Sequence, residues 1–371
     1  LGGLAFGLAF LSKQHGFVFP VLGLAFVALR EPARWQRDPL GILRELAALA
    51  SGSFIPLAIC VVVFAATGTL GDFVFWTFVY PQKYVTLVPL EVQLRQVIPA
   101  VRTQLEYVWP LWLMGLLGLT VLFWYPAARR WRTLMLLLAA GCAAAIVPGG
   151  YYRHHYFVLA ALPIALLAAW GWQGLADAYR TQGGGRWLPL FLLALIVSWP
   201  IGRLATFYAP LDANTLSIEL YGACPFRDAV DLSKYLAAET TPADRIAILG
   251  SEPEVFFYAR RRSATGHIYM YPLTEPNPYA LRLQKQVREE IEAAQPKFIV
   301  HFAHHNSWFS QTGADLTQFQ EWLQKYLTDH YDTVGVIEAV DHAKSEQHWG
   351  SAVEGLTVVS QNSIFIHRRR D

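Results

Sequence analysis

Up to about Phe207 the chain is a succession of apolar runs separated by short clusters of Arg and Lys; after Asp212 it reads like an ordinary water-soluble protein. An apolar run of about 20 residues is what a helix needs to cross a bilayer, so this asymmetry constrains the fold more than any motif does. The composition agrees. Charged residues make up 16% of the 371 residues, against about 25% in soluble domains, and the mean hydropathy is positive. The expected fold class is therefore a polytopic α-helical membrane domain over 1–207, followed over 208–371 by a soluble α/β domain with a mostly parallel sheet.

Six runs qualify or nearly qualify as spans. They are Leu1 to Leu29 (broken at Ser12-Lys13-Gln14-His15-Gly16), Leu46 to Thr67, Val108 to Tyr125, Thr133 to Val147, Tyr156 to Trp172 and Trp187 to Ala205. The chain opens on Leu1, inside an apolar run and with no basic region before it, which reads as a piece of a longer protein. Arg30, Arg34, Arg37 and Arg44 share one loop; Arg129, Arg130 and Arg132 share another; Arg180 and Arg186 share a third. Positive loops stay in the cytoplasm. The loops Gly68–Glu106 and Pro148–His155, and the whole soluble domain, are then expected on the outer face of a bacterial-type plasma membrane. Trp76, Tyr80, Tyr84, Tyr107, Trp109, Tyr151 and Tyr152 would form an anchoring belt at that face.

In the second half, apolar spacing predicts helices over 228–239, 279–294 and 316–326. Strands are predicted over 245–249, 267–271, 297–302, 331–340 and 363–367. No Gly-rich phosphate motif is present. The net charge is +2, which gives nucleic acid no electrostatic hold. Cys60, Cys142 and Cys224 show no disulfide framework.

Ionisable residues at membrane depth are costly and are functional candidates by default. Lys13, Gln14 and His15 form one such group; Arg153, His154, His155 and Tyr156 form another. Both are expected at the outer face, where cations suit a lipid-linked phosphate and stabilise it as a leaving group. The competing reading is side chains that snorkel to the interface and fix helix ends. His154-His155 and His301, His304 and His305 are possible metal ligands, but neither set has four ligands at a recognised spacing. The cofactor is open, a divalent metal being one candidate. Asp72, Glu91 and Glu106 could each serve as a base, and none is singled out. Either Glu252 or Glu254 could face a cleft, but both better suit the positive end of the helix that follows them. Arg260-Arg261-Arg262 suits a solvated or membrane-facing patch.

Gly7-Leu-Ala-Phe-Leu-Ser-Lys-Gln14 resembles the GLAFLTK segment of GT-C superfamily glycosyltransferases, the polytopic enzymes similar to protein mannosyltransferases and lipid A aminoarabinose transferase. The stretch from Arg153 to Leu167 resembles their late R-x-x-HY…LP…LLA span. Thr241 to Arg261 and Pro296 to Val300 resemble segments of bacterial members that end in an external soluble domain. The resemblance implies sugar transfer, with inversion, from a polyprenyl-phosphate donor to a lipid, glycan or protein acceptor. It implies Lys13, Arg153, His155 and Tyr156 on the donor-phosphate side. It places the catalytic acidic residue in an early external loop upstream of Leu1. A transporter or flippase of a lipid-linked substrate would instead show inverted repeats and mid-membrane charges. A non-catalytic anchor for an external binding domain would tolerate loss of Lys13 and Arg153.

Overall fold

The computed structural model describes residues 1–208, 212–221, 225–304, 307–308, 313–341 and 344–370. The chain divides into two compact units, Leu1–Phe207 and Tyr208–Asp371.

The first unit is helical. Its principal helices are α1 (Gly2–Ser12), α2 (Val18–Leu29), α3 (Pro39–Ala66), α4 (Leu90–Trp124), α5 (Arg132–Ile146), α6 (Val158–Thr181) and α7 (Trp187–Tyr208). Among the described residues, four helical stretches are long and apolar enough to cross a membrane: Pro39–Ala66, Leu90–Trp124, His154–Thr181 and Trp187–Ala205. At 15 residues α5 rises only about 22 Å, so it falls short of the span expected at Thr133–Val147. The break at Lys13 is real, and α1 and α2 are each shorter still.

The expected outer loop Gly68–Glu106 is largely helical instead. It holds short helical turns from Leu70 to Tyr84 and the first half of α4. Helix α4 is kinked at Val108 (φ −136°, ψ 26°). Pro110 two residues on accounts for the kink, because proline removes a helix hydrogen bond and its ring crowds the preceding turn. Helix α3 is capped at its start by Asp38, which accepts from the Gly41 amide. Glu45 in α3 binds Arg30 at 2.6 Å and Arg34 at 2.9 Å, so that part of the first basic cluster is internally neutralised.

The tightest helix pair is α4 with α6. At Gly118 an added Cβ would lie 1.7 Å from the Leu167 carbonyl oxygen, and at Gly171 2.3 Å from that of Met114. In lipid, apolar surface gives no drive for helix association, so close backbone approach at small residues supplies the attraction. Val121, Leu122, Ala128, Met135 and Leu167 form the buried cluster beside this crossing. Near the C-terminal end of α6 the Tyr125 hydroxyl donates to Asp177 at 2.5 Å, and Gln173 donates to the same oxygen at 2.9 Å.

The second unit is α/β. It comprises α8 (Phe226–Glu239), β1 (Arg245–Leu249), α9 (Glu254–Ala259), β2 (Arg262–Ser263), α10 (Ala280–Ala294), β3 (Phe298–Ala303), α11 (Thr317–His330), β4 (Tyr331–Ala339), β5 (Ser345–Trp349) and β6 (Ser363–Arg369). The strand order is β2-β1-β3-β6-β4-β5. The sheet is mixed, not mostly parallel. β1 runs parallel to β2 and β3, whereas β6 is antiparallel to β3 and β4, and β5 is antiparallel to β4. One face carries the main core, where Leu232, Leu236, Val255, Phe298, Val300, Phe302, Ile364 and Ile366 are buried together. The strand expected over 267–271 is absent. The Thr265 hydroxyl donates to the His267 carbonyl and accepts from the His267 amide, which closes a local turn where a ladder would need free backbone groups.

Candidate functional site

Both candidate clusters of the helical unit are built the same way. α1 ends at Ser12, and Lys13 takes an extended backbone (φ −163°). A 3₁₀ turn, Gln14–Phe17, then leads into α2. The turn is closed by the Gly16 amide donating to the Lys13 carbonyl at 2.8 Å. It folds tightly against α1, because a Cβ at Gly16 would sit 2.1 Å from the Ala9 carbonyl oxygen. In the second cluster Arg153 is extended (ψ 144°), a 3₁₀ turn covers His154–Phe157, and α6 follows. The Tyr156 amide donates to the Arg153 carbonyl at 2.8 Å. Each cluster thus sets a cation just before the positive end of a helix, where backbone amides are unsatisfied and anions are favoured.

The two clusters meet. The Lys13 ammonium lies 4.3 Å from the centre of the Tyr156 ring. The His15 ring is edge-on to the same ring at 5.3 Å, and the His155 ring at 4.6 Å. Tyr156 is buried while Lys13, Arg153 and His155 are exposed around it. Arg153 is near enough for its charge to act on Lys13, and its guanidinium lies 5.6 Å from the Tyr151 ring centre. Neither cation forms an ion pair with a carboxylate among the described residues. Two like charges held together without a counter-charge form an arrangement that an anion stabilises.

The loop before Arg153 is conformationally unusual. Tyr152 is buried with φ +42°, a left-handed conformation that costs a non-glycine residue about 1–2 kcal/mol. Tyr152 and Phe157, on either side of the cationic residues, line an almost wholly apolar cavity of about 340 Å³ between α4, α5 and α6. The aromatic belt is more than a set of anchors. Tyr80 is buried, and Tyr84 stacks on Tyr151 at 5.0 Å. Gln104 hydrogen-bonds His154 Nδ1 at 3.2 Å.

The remaining candidates fare differently. Glu91 pairs with Arg95 at 2.5 Å and Glu106 with Arg102 at 3.3 Å, both on exposed helix surface. Asp72 lies in the first turn of a short helix. Among the described residues no group of three or more His, Cys, Asp or Glu could hold a metal ion; His305 and Cys224 lie outside those residues. The Arg261 guanidinium is committed to structure, donating to Thr240 Oγ1 at 2.6 Å and to the Ala237 carbonyl at 2.8 Å, whereas Arg260 and Arg262 are exposed.

Glu252 is a correction. It is buried rather than set out at a helix end, and it accepts a hydrogen bond from the Ser307 hydroxyl. Its second oxygen has no partner among the described residues. Burial, with the Glu254 carboxylate close by, pushes its pKa up to about 7. Sequence reasoning also missed His367, which alternates with Phe365 on β6. Burial pulls both His301 and His367 down to about 4, and the proximity of His301 adds to the effect at His367.

No family, curated protein or solved structure matches this chain.

Proposed function

We propose that this chain belongs to a membrane glycosyltransferase that moves a sugar from a polyprenyl-phosphate donor to a lipid, glycan or protein acceptor on the outer face of the membrane. The observation that carries the reading is that Lys13, without a carboxylate partner among the described residues, stands over the ring of Tyr156, three residues from Arg153, which is far from Lys13 in sequence and likewise unpaired among those residues. In this reading the acceptor oxygen attacks the anomeric carbon and the bond from that carbon to the phosphate oxygen breaks. The electron pair leaves with the polyprenyl phosphate, and the acceptor proton passes to a base. Lys13 and Arg153 hold the phosphate and stabilise the charge that grows on it. Tyr156 fixes the ammonium through its ring. His155 borders the same space, and the apolar cavity lined by Tyr152 and Phe157 suits the first isoprene units.

The test is sugar transfer by the full-length protein in nanodiscs, from a panel of polyprenyl-phosphate sugars. Removing a preorganised charge that acts on the transition state costs roughly 10²–10³ in rate, so Lys13→Ala and Arg153→Ala should each fall by that order with folding intact. Tyr156→Phe keeps the ring and should retain most activity, whereas Tyr156→Leu should not. Transfer that survives in both cation variants would sink the assignment.

A further inference from the structure

The second unit carries a groove of about 1310 Å³ on the sheet face opposite its main core, bounded by α11. Its floor comes from two strands. His301 on β3 is the direct cross-strand partner of Phe365 on β6, so the two side chains share a face, and His367 two residues on shares it as well. The three rings form a flat row: His301 and Phe365 are stacked at 6.3 Å and 28°, Phe365 and His367 at 6.4 Å and 11°. Trp308 forms a wall. Its indole nitrogen donates to the Phe302 carbonyl at 2.7 Å, which fixes the ring, and it stands edge-on to His301 at 6.1 Å. On α11, Phe319 and Leu323 are buried, while Gln320 and Gln324, one residue on from each, are exposed at the groove.

Among the described residues the groove's lining contains no Asp, Glu, Lys or Arg, and burial keeps His301 and His367 neutral above about pH 4. The His301 ring has no hydrogen-bond partner among the described residues. A charged ligand would lose its hydration there without gaining a counter-charge, which is prohibitive. A purely apolar ligand would strand the imidazole and amide groups in a dry contact, at about 1–3 kcal/mol for each unmet group. Flat aromatic faces opposite neutral donors and acceptors suit a ligand with an apolar C–H face and a rim of hydroxyls. The volume exceeds the roughly 300–1,000 Å³ of a small-molecule site, which favours an extended ligand over a single ring.

We infer that this groove binds a neutral oligosaccharide, with Trp308 and Phe365 as stacking platforms and Gln320, Gln324 and His301 as hydrogen-bonding groups. The inference does not rest on the lipid-phosphate reading of the helical unit, whose residues lie elsewhere in the chain.

The experiment titrates the full chain in nanodiscs with maltotriose, cellotriose and mannotriose, with trigalacturonate as the charged counterpart and adenosine as a planar heterocycle, read by saturation-transfer NMR. At least one neutral trisaccharide should bind saturably, and its Kd should rise roughly tenfold or more in Trp308→Ala and in Gln324→Ala. Gln324 is exposed on a helix, so its variant keeps the test valid if Trp308→Ala perturbs the fold. Lys13→Ala should leave this binding unchanged, which separates it from donor recognition. Absence of saturable binding by all three neutral sugars, binding untouched by both groove variants, or preferential binding of trigalacturonate or adenosine would each overturn the inference.

Discussion

Gly118→Ala is expected to destabilise the helical unit by about 3 kcal/mol, the upper end of overpacking costs. The added methyl would meet the Leu167 carbonyl oxygen at 1.7 Å and its carbon at 2.5 Å. Both are backbone atoms, so no rotamer change relieves the clash, and α4 and α6 must move apart along the crossing. Gly202 on α7 is the control, with nothing within 4 Å of where its Cβ would be. Gly202→Ala should be neutral or slightly stabilising, since alanine is the better helix former by up to about 1 kcal/mol. Thermal unfolding in detergent, followed by tryptophan fluorescence, checks both. Equal melting of Gly118→Ala and wild type would mean that the two helices do not approach as described.

The second unit should have opposing pH responses that single variants can separate. His301 and His367 are held near 4 by burial, below the ordinary value of about 6.5. Between those values the unfolded chain binds more protons. The stability that the neutral rings contribute is full above about pH 6.5 and is lost as pH falls through 4. Glu252 works the other way. Its folded value of about 7 exceeds the unfolded one, so its contribution is full below about pH 4.5 and disappears as pH rises through 7. Each shift corresponds to about 3 kcal/mol. Hydrogen exchange of the β3 and β6 amides in the intact chain is the measurement. Glu252→Gln should gain protection relative to wild type at pH 8 compared with pH 4, and His367→Gln should blunt the acid loss. A Glu252→Gln difference that stays constant from pH 4 to 8 would rule out a buried, proton-holding carboxyl at that position.

The sequence made local structure legible wherever a period was strong. The helices at 226–239 and 280–294 and the strands at 245–249 and 298–303 fall within a residue or two of their expected bounds, because each shows its buried face in the spacing of its apolar residues. Strand pairing was not legible. β1 and β3 follow the helix-linked pattern that implies parallel neighbours, yet β6 inserts between β3 and β4, and nothing in its own residues announces the partner. β5, with Ser345, Glu346 and Gln347, has no apolar alternation to reveal it. The donor-side candidates were legible one by one as charges in apolar surroundings. That Lys13 stands over Tyr156 is a tertiary fact that spacing cannot encode. Glu252 was assigned to a helix end because a carboxylate before a helix usually sits there; its burial depends on Ser307, from a distant loop.

The ends of the sheet bear on how such a domain behaves at a crowded membrane surface. An open strand edge is a template on which a neighbouring copy can pair and start an aggregate. Here one edge, β2, is only two residues long. The other, β5, carries exposed Glu346, tied to Lys344 at 2.9 Å, beside exposed Gln347. Both devices disfavour edge-to-edge pairing of copies, and a substitution that makes β5 longer, flatter or apolar would remove that protection without touching either unit's core.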